Sequence, residues 1–280
     1  MDDLSTGSLH NIDDYLQLNN FRFMEQSICS ISLSDLPEKI DYVFHLAAKV
    51  SVPESFENPS EFHDVNELGF LKILEIARMK SVEKLIYASS SAVYGSQGNI
   101  PISEKSKLNP QSPYALNKFN NELYARKYFE WFKLRSVGLR FFNVYGPRQR
   151  SDSPYSGVIS IFRSKMAKGE EITIYGDGNQ VRDFINVKDV AKILRYCSVS
   201  ESNEFVYNVG TGVPTSINEL YSLIRNNYNY TSEPIYKEKR IGDIPYSLAD
   251  VSLLNDNLKI SSNISIEQGI NSLIKTNSKS

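Results

Sequence analysis

The sequence is poor in cysteine, in excess charge of either sign and in long apolar runs. Its 280 residues include only Cys29 and Cys197, too few for a disulfide framework and typical of a reducing cytosol. The 31 basic and 33 acidic side chains leave a net charge of -2, without the basic bias that suggests a nucleic-acid partner. No apolar run approaches the roughly 20 residues that span a bilayer. These absences predict a cytoplasmic protein with no nucleic-acid or membrane partner.

Histidine is also scarce, since the chain contains only His10, His45 and His63. None of them lies near cysteines or carboxylates at the spacing of metal ligands, so the sequence predicts no metal site. What the chain does contain is apolar material, because 41% of its residues are hydrophobic. That share is enough to bury the core of one large domain, or of a domain with a smaller partner.

Short apolar runs alternate with segments of helical periodicity. Alternation of this kind predicts right-handed crossovers and an α/β sheet of the dinucleotide-binding type. The second and third strands are apolar on both faces, as expected where helices cover a parallel sheet on both sides. The predicted strands are 21–27, 40–47, 83–90, 134–142 and 204–210, and the main predicted helices are 59–80 and 112–132.

The stretch SPYALNK places Tyr114 four residues before Lys118. One interpretation is a helix start, in which Ser112 caps the helix, Pro113 takes its first position and the two side chains share a face. The other interpretation is chemical. An ammonium beside a phenol stabilises the phenolate and lowers its pKa, so that a tyrosine can act as a base near neutral pH.

Polar stretches follow three of the predicted strands. HLAAKVSVPES, YASSSAVYG and LRFFNVYGP each stand where a doubly wound sheet binds its ligand, at the carboxyl ends of the strands. A serine cluster followed by SPYALNK is hard to explain by packing alone. The sequence therefore predicts a ligand site at this edge of the sheet.

Together with DYVFHLAA, IYGDGNQVRDFINVKDVA and YNVGTG, these motifs resemble the extended short-chain dehydrogenase/reductase family, in particular its nucleotide-sugar 4-epimerase branch. The resemblance covers nearly the whole chain and implies NAD as cofactor and a UDP-sugar as substrate. In that family the tyrosine and lysine of Y-x-x-x-K are catalytic. It therefore implies that Tyr114 is the base, that Lys118 lowers the pKa of Tyr114 and holds the nicotinamide ribose, and that Ser90 relays the proton, with Ser89 and Ser91 as alternatives.

The resemblance also implies binding residues. Arg182 and Arg240 match pyrophosphate-binding arginines, whose planar guanidinium fits two phosphate oxygens at once. Asn143 and Asp243 match nucleotide-binding positions, and Tyr175 matches the base pocket. The full expectation is Asp2, Leu46, Ala47, Ala48, Asn66, Tyr114 and Lys118 for NAD, and Ser90, Ser91, Asn143, Tyr175, Arg182, Arg240, Asp243 and Ser247 for the substrate.

Ser247 bears on which sugar is bound. Epimerases restricted to glucose and galactose tend to carry a bulky tyrosine there, so a serine leaves room for a 2-acetamido group. The resemblance thus predicts interconversion of UDP-N-acetylglucosamine and UDP-N-acetylgalactosamine. Two alternatives stay open: a nucleotide-sugar dehydratase or decarboxylase, although SSSAVYG lacks the Asp-Glu pair usual in dehydratases, and a non-catalytic nucleotide-sugar binder.

The family's Gly-x-x-Gly-x-x-Gly loop is missing from the sequence. We expect a doubly wound, Rossmann-like parallel sheet that lacks its first strand, glycine-rich loop and first helix, as in an N-terminally truncated product that binds NAD poorly. The predicted domains are an NAD-binding domain, 1–147 with 181–210, and a smaller α/β substrate domain, 148–180 with 211–280. The resemblance also implies a homodimer through helices 59–80 and 112–132.

Overall fold

The computed structural model describes residues 1–98, 100–149, 157–239, 244–262 and 264–277. The chain forms two compact units. Residues 1–89 and 112–138 make up the first unit, and residues 90–111 and 139–280 make up the second. These ranges differ from those of the predicted domains. The predicted domains are defined by the ligand that each would bind, and that assignment stays a prediction.

The first unit is built around parallel strands and the helices that follow them. Strand β1 pairs with β2 in parallel, with Tyr42 opposite Lys84 and His45 opposite Tyr87, and β2 neighbours the start of β3. The elements are α1 (Asp13–Leu16), β1 (Tyr42–His45), α2 (Val52–Glu57), α3 (Pro59–His63), α4 (Gly69–Met79), β2 (Lys84–Ser90), α5 (Pro113–Phe132) and β3 (Ser136–Phe141), the last of which continues into the second unit.

Most elements predicted for this unit are confirmed. The exception is the strand predicted at 21–27, which is wrong, since the structure has only an isolated parallel bridge between Asp2 and Glu25 there. Within the described part of this unit no neighbouring strand extends that pairing. Strand β1 also departs from expectation, because Phe44 is 46% exposed rather than covered on both faces. Tyr42, which points to the same face, is exposed as well, so this face of β1 is open within the described residues.

A π-helical turn, Asp64–Leu68, divides the predicted helix 59–80 into α3 and α4. The core of the first unit lies between these helices, α5 and the strands. Phe70 and Tyr87 pack with ring centroids 4.9 Å apart, and a Cβ at Gly138 would lie 2.7 Å from the Tyr87 ring. The buried members of this core are Ile28, Ile31, Phe70, Ile73, Leu74, Ile76, Ala77, Val82, Leu85, Tyr87, Ala125, Tyr128 and Leu134.

The second unit is organised around β6. Strands β10 and β4 pair with β6 in parallel, β8 pairs with it antiparallel, and β5 and β9 form a separate parallel pair. Strand β7 neighbours β3. The elements are β4 (Asn143–Tyr145), α6 (Val158–Lys168), β5 (Thr173–Tyr175), β6 (Val181–Asn186), α7 (Val187–Val199), β7 (Val206–Val209), β8 (Pro214–Ser216), α8 (Ile217–Arg225), β9 (Ile235–Lys237), β10 (Tyr246–Ser247), α9 (Ser252–Leu258) and α10 (Ile266–Asn277).

The core of the second unit lies where α6, α8 and α10 contribute apolar side chains. Ser216 and Glu219 form a capping box at the start of α8, in which each side chain accepts from the other's backbone N–H. The buried members of this core are Tyr145, Ile159, Phe162, Met166, Ile172, Ile174, Phe184, Ile217, Leu220, Tyr221, Ile224, Tyr230, Ile270 and Leu273. Within the described ranges, no helix has the length and apolar character needed to cross a membrane.

Candidate active site

The candidate residues fall in both units. In the first unit α5 begins as the sequence predicts. The Oγ of Ser112 accepts a hydrogen bond from the backbone N–H of Ala115 at 3.1 Å, and Pro113 occupies the first turn. Tyr114 and Lys118 follow one turn apart and are both buried, with the Lys118 Nζ 5.9 Å from the centre of the Tyr114 ring.

Lys118 is buried and hydrogen-bonded. Its Nζ donates to the carbonyl oxygen of Ala88 on β2 at 2.9 Å, and only 2% of the residue is exposed. Burial lowers the pKa of Lys118 to about 8. Burial, and secondarily the charge of Lys118, lowers the pKa of His45 to about 3, so this histidine is neutral at physiological pH. An ammonium in this setting interacts strongly with any charge that develops beside it.

The three serines at the end of β2 have different environments. Ser89 is buried, and its Oγ donates to the Oε1 of Glu122 on α5 at 2.5 Å within the first unit. In the second unit Ser90 caps a short 3-10 turn, where its Oγ accepts from the N–H of Ala92 at 3.2 Å. Among the described residues its hydroxyl proton has no acceptor, so it can be donated to a ligand. Ser91 is the half-buried first residue of that turn.

The residues expected to contact NAD lie in the first unit. Leu46 and Ala47 are exposed and Ala48 is half-buried, directly after β1. Asn66 is 1% exposed, and its amide accepts from the N–H of Lys49 and donates to the carbonyl of Lys49, both at 2.8 Å. Asn66 thereby holds the loop that presents Leu46–Ala48.

In the second unit, strand pairing brings three predicted substrate residues onto neighbouring strands. Arg182 on β6 is in parallel register with Ser247 on β10 and in antiparallel register with Thr215 on β8. Asn143 begins β4 and pairs with Phe184 of the same strand β6. Register partners point to the same face of a sheet, so Ser247 lies beside the side chain of Arg182.

Asp183 points to the opposite face from Arg182 and is fully buried. Its carboxylate accepts from the N–H groups of Thr211, Gly212 and Ala249 and from the Thr211 hydroxyl, at 2.7 to 3.2 Å. Burial raises the pKa of Asp183, and these hydrogen bonds oppose that effect. This carboxylate ties β6 to the loop after β7 and to the residues after β10.

Tyr175 is half-buried at the end of β5, where its carbonyl accepts from the Nε2 of Gln180 at 2.6 Å. Arg240 and Asp243, the other two predicted substrate residues, lie outside the described residues. Among the described residues, no three or more His, Cys, Asp or Glu side chains are grouped so that they could hold a metal ion.

Comparison with known proteins decides the family. The family model described as "NAD dependent epimerase/dehydratase family" matches residues 1–210. The chain belongs to this family. The predicted family, its α/β fold and its cofactor NAD are thus confirmed at the family level.

Similar proteins of this epimerase/dehydratase family are known in other organisms. The chain is 33% identical over 273 residues to the UDP-glucose 4-epimerase of Mycolicibacterium smegmatis, covering 96% of this chain and 87% of that protein. A UDP-N-acetylglucosamine 4-epimerase structure from Methanobrevibacter ruminantium, in complex with UDP-N-acetylmuramic acid, is 37% identical with a TM-score of 0.95, covering 100% of this chain and 90% of that one. The NAD complex of UDP-glucose 4-epimerase from Thermus thermophilus is 30% identical with a TM-score of 0.85, covering 98% and 88%.

The residues of this family member fit the chemistry of NAD. Asp2 is exposed, and its Oδ1 accepts from the N–H of Leu4 at 2.8 Å. A Cβ at Gly7 would lie 2.7 Å from that Oδ1, so in this arrangement the backbone at Gly7 passes close to the carboxylate. An exposed, oriented carboxylate is a suitable acceptor for ribose hydroxyl groups. The buried Lys118 ammonium supplies a donor in the same unit.

Sequence reasoning missed a buried network in the second unit. The Tyr94 hydroxyl donates to the Oδ1 of Asn208 at 2.6 Å and accepts from a guanidinium N–H of Arg140 at 2.8 Å. The Arg140 guanidinium also stacks over the Tyr94 ring at 4.8 Å. This network fixes the end of the 3-10 turn that Ser90 caps. The available signal was an arginine inside the apolar strand sequence LRFF.

Proposed function

We propose that this protein interconverts the carbon-4 epimers of a UDP-hexose and uses NAD as its cofactor. One observation carries the proposal: Lys118 lies buried one helical turn from Tyr114, with its ammonium directed by a hydrogen bond to Ala88. A buried lysine loses hydration that only a nearby negative charge or strong acceptor replaces. A phenolate at Tyr114 is such a charge, and it is the base that the reaction needs.

In this mechanism Tyr114, as a phenolate, takes the proton of the sugar 4-hydroxyl and later returns it to the 4-oxygen. NAD, when bound, supplies a reversible hydride acceptor for carbon 4 of the sugar. Lys118 stabilises the phenolate form of Tyr114, before it takes the proton and again after it has returned it. The sugar, as a 4-ketone, turns over within the site before the proton is returned. The hydride then returns to the opposite face of carbon 4, which inverts the configuration at that carbon.

Ser90 is the serine that we assign to the 4-oxygen, as donor and proton relay. The assignment follows from the hydrogen bonds of its neighbours. The Ser89 hydroxyl donates its proton to Glu122. The Ser90 hydroxyl accepts from Ala92, so its own proton can be donated to the 4-oxygen of the sugar. Ser91, next in the turn, is assigned to substrate contact.

For NAD, we assign Asp2 to the adenosine ribose, Lys118 to the nicotinamide ribose, and Leu46, Ala47 and Ala48 to the exposed loop that faces the cofactor. Asn66 contributes indirectly, since its amide is bonded to the Lys49 backbone. For the substrate, we assign Arg182 to the pyrophosphate, Asn143 to the nucleotide and Tyr175 to the base. Arg240 and Asp243 complete this proposal on the sequence pattern alone.

The sugar that we propose carries a 2-acetamido group, as in UDP-N-acetylglucosamine and UDP-N-acetylgalactosamine. Ser247 supports this, because it lies in register with Arg182 and a small side chain there leaves volume beside the proposed phosphate site. Ser247→Tyr should lower kcat/KM for acetamido sugars by about 10-fold or more, while UDP-glucose changes little. Ser247→Ala, which stays small, is the control. Equal losses on both classes of sugar would contradict the assignment.

We further propose that the protein is a homodimer through α4 and α5. Leu116 and Leu123 support this, since they are 47% and 48% exposed and lie seven residues apart on one face of α5. Leu123→Arg should convert the dimer to a monomer in light scattering. Leu18→Arg, at an equally exposed leucine outside these helices, should leave the dimer intact. A monomeric parent protein would end this part of the proposal.

The first experiment is to count NAD released from the denatured protein and to follow UDP-N-acetylglucosamine by NMR. Close to one NAD per chain and formation of the carbon-4 epimer would support the proposal, whereas a ratio well below one would match the weak NAD binding expected without the glycine-rich loop. Tyr114→Phe should reduce the rate by about 100-fold or more and leave UDP affinity unchanged. Binding of UDP without NAD and without turnover would instead support the non-catalytic alternative.

A further inference from the structure

The π-helical turn Asp64–Leu68 carries two buried polar residues, Asn66 and Glu67, that are hydrogen-bonded to the catalytic helix α5. Turns of this type are rare and often mark functional sites, because they break the regular hydrogen-bond ladder of a helix. The backbone carbonyl of Asn66 accepts a hydrogen bond from the Nδ2 of Asn121 on α5 at 2.9 Å. The turn is thus bonded to α5 through the backbone of Asn66 and, as described next, through the side chain of Glu67.

Glu67 is the charged residue of this turn. It is 9% exposed, and one oxygen, Oε2, accepts from the Nδ2 of Asn117 at 3.1 Å and from the Nδ2 of Asn120 at 3.0 Å. The same oxygen lies 3.3 Å from the Nδ1 of His63, one turn earlier. A carboxylate with two amide donors and an imidazole has strong, directional partners.

Both amides that Glu67 binds belong to the turn of α5 that contains Lys118. Asn117 directly precedes Lys118, and Asn120 follows one half-turn later. Two bonds from one carboxylate to neighbouring positions restrain both the rotation of α5 about its axis and its sliding along it. Either movement would shift the Lys118 ammonium and the Tyr114 hydroxyl together.

We propose that Glu67 is a positioning residue for the Tyr114–Lys118 pair. It acts through Asn117 and Asn120 by locking the first turns of α5 in the orientation that the reaction requires. This proposal rests on the catalytic roles proposed for Tyr114 and Lys118. It assigns to Glu67 no contact with the sugar or with NAD.

Helix α4, which directly follows the π-helical turn, carries a second cross-link to α5, and this one serves as an internal control. The Tyr128 hydroxyl on α5 donates to the Oε1 of Glu75 on α4 at 2.5 Å. Tyr128 lies ten residues beyond Lys118, about 15 Å further along the helix. Glu75→Ala therefore removes a carboxylate that binds the same helix, with the same substitution, at a distance from the proposed catalytic pair.

The experiment compares Glu67→Ala, Glu67→Gln and Glu75→Ala in the NAD-containing protein, with kcat, KM and melting temperature measured for each. We expect Glu67→Ala to lower kcat by about 10- to 100-fold with little change in KM, because small displacements of catalytic groups cost this much. Glu67→Gln keeps an amide oxygen as acceptor and should recover most of the rate. Glu75→Ala should lower the melting temperature and keep kcat.

Amide hydrogen exchange supplies a readout that does not depend on activity. Glu67→Ala should accelerate exchange in residues 115–121, whereas Glu75→Ala should accelerate it only near Tyr128. If Glu67→Ala does not fold, Asn120→Ala removes one of the two bonds from a half-buried site and should lower kcat by about 3-fold, the equivalent of one weak hydrogen bond.

The possible outcomes separate this proposal from the proposed function. Equal kcat in Glu67→Ala and Glu75→Ala, or unchanged exchange at residues 115–121, overturns the positioning role. A Tyr114→Phe protein that retains full activity overturns the catalytic assignment instead. Loss of rate in Tyr114→Phe together with the Glu67 pattern supports both.

Discussion

Helix α5 and strand β6 both carry candidate residues, but they hold them by different means. On α5, Tyr114 and Lys118 meet because four residues make about one helical turn, so their proximity is local. On β6, Arg182 meets Ser247 and Thr215, which come from distant parts of the chain and arrive only by strand pairing. The difference teaches that the proposed proton-transfer pair depends on one helix, whereas the proposed nucleotide-sugar residues depend on the packing of a whole unit.

Buried carboxylates reinforce both regions in correspondingly different ways. Glu67 in the first unit binds side chains of one helix, through Asn117 and Asn120. Asp183 in the second unit binds backbone N–H groups of Thr211, Gly212 and Ala249, which belong to separate segments. We therefore expect damage at α5 to affect rate more than stability, and damage at β6 to affect stability and substrate affinity together.

The largest expected effect is on the rate when the α5 pair is broken. Lys118→Met should lower kcat by about 100- to 10,000-fold, since the phenolate loses its neighbouring charge. Stability should be kept or raised, because a buried charge is replaced by an apolar side chain of similar length. The measurements are steady-state epimerase kinetics and thermal unfolding.

Lys127→Met is the matched control for that variant. Lys127 lies on the same helix, with an exposed side chain that pairs with Glu130, so its removal should change neither quantity appreciably. A Lys118→Met protein that turns over substrate normally would show that the buried lysine is only structural.

The next effect is on the stability of the second unit. Asp183→Ala leaves three backbone donors and a hydroxyl without their acceptor, and should lower the free energy of unfolding by about 3 to 5 kcal/mol. UDP affinity should fall as well, because β6 carries Arg182. Urea denaturation and UDP titration test this. Asp177→Ala, at an exposed aspartate bonded to Asn179, should change both by much less.

A third prediction concerns the pH dependence of kcat, which tests the role of Lys118 on α5. Burial lowers the pKa of Lys118 from its ordinary value of 10.5 to about 8. As pH rises above about 8, the ammonium and its support for the phenolate are lost, so kcat should fall by up to about 10-fold per pH unit. The kcat of Lys118→Met should show no such fall above pH 8.

The same shift has the opposite sign for stability. Between pH 8 and 10.5 the unfolded chain binds more protons at Lys118 than the folded chain does, so this residue's contribution to stability rises with pH. His45 does not interfere, since burial keeps its pKa at about 3. A rate that stays constant while pH rises through this range would contradict the role of Lys118.

The smallest expected effect compares two helix caps. Ser112 caps α5 and Ser216 caps α8, each through its Oγ and an N–H three residues later. Either serine replaced by alanine should lower stability by about 1 kcal/mol. Only Ser112→Ala should also lower kcat, because its cap is two residues from Tyr114. Equal kinetics in both variants would count against the dependence of catalysis on the start of α5.

Much of the fold was predictable, and the failures have physical causes. Strands β1 and β2 and helix α5 follow from local periodicity. The strand predicted at 21–27 fails because a strand needs a partner, and only Glu25 finds one in Asp2. The π-helical turn inside the segment 59–80 was missed because its cause is the set of bonds that Asn66 and Glu67 make to other parts of the first unit.

The candidate site divides along the same line. By itself the sequence determined the Tyr114–Lys118 pair and its cap, because neighbours on a helix are set by local geometry. Only the tertiary structure decided that the Ser89 hydroxyl donates to Glu122 while the Ser90 hydroxyl accepts from Ala92. It also decided that Ser247 lies in register with Arg182. Hydrogen bonds and strand registers of this kind join residues far apart in the chain. Their partners are selected by the packing of the folded units and by the need to satisfy buried polar groups.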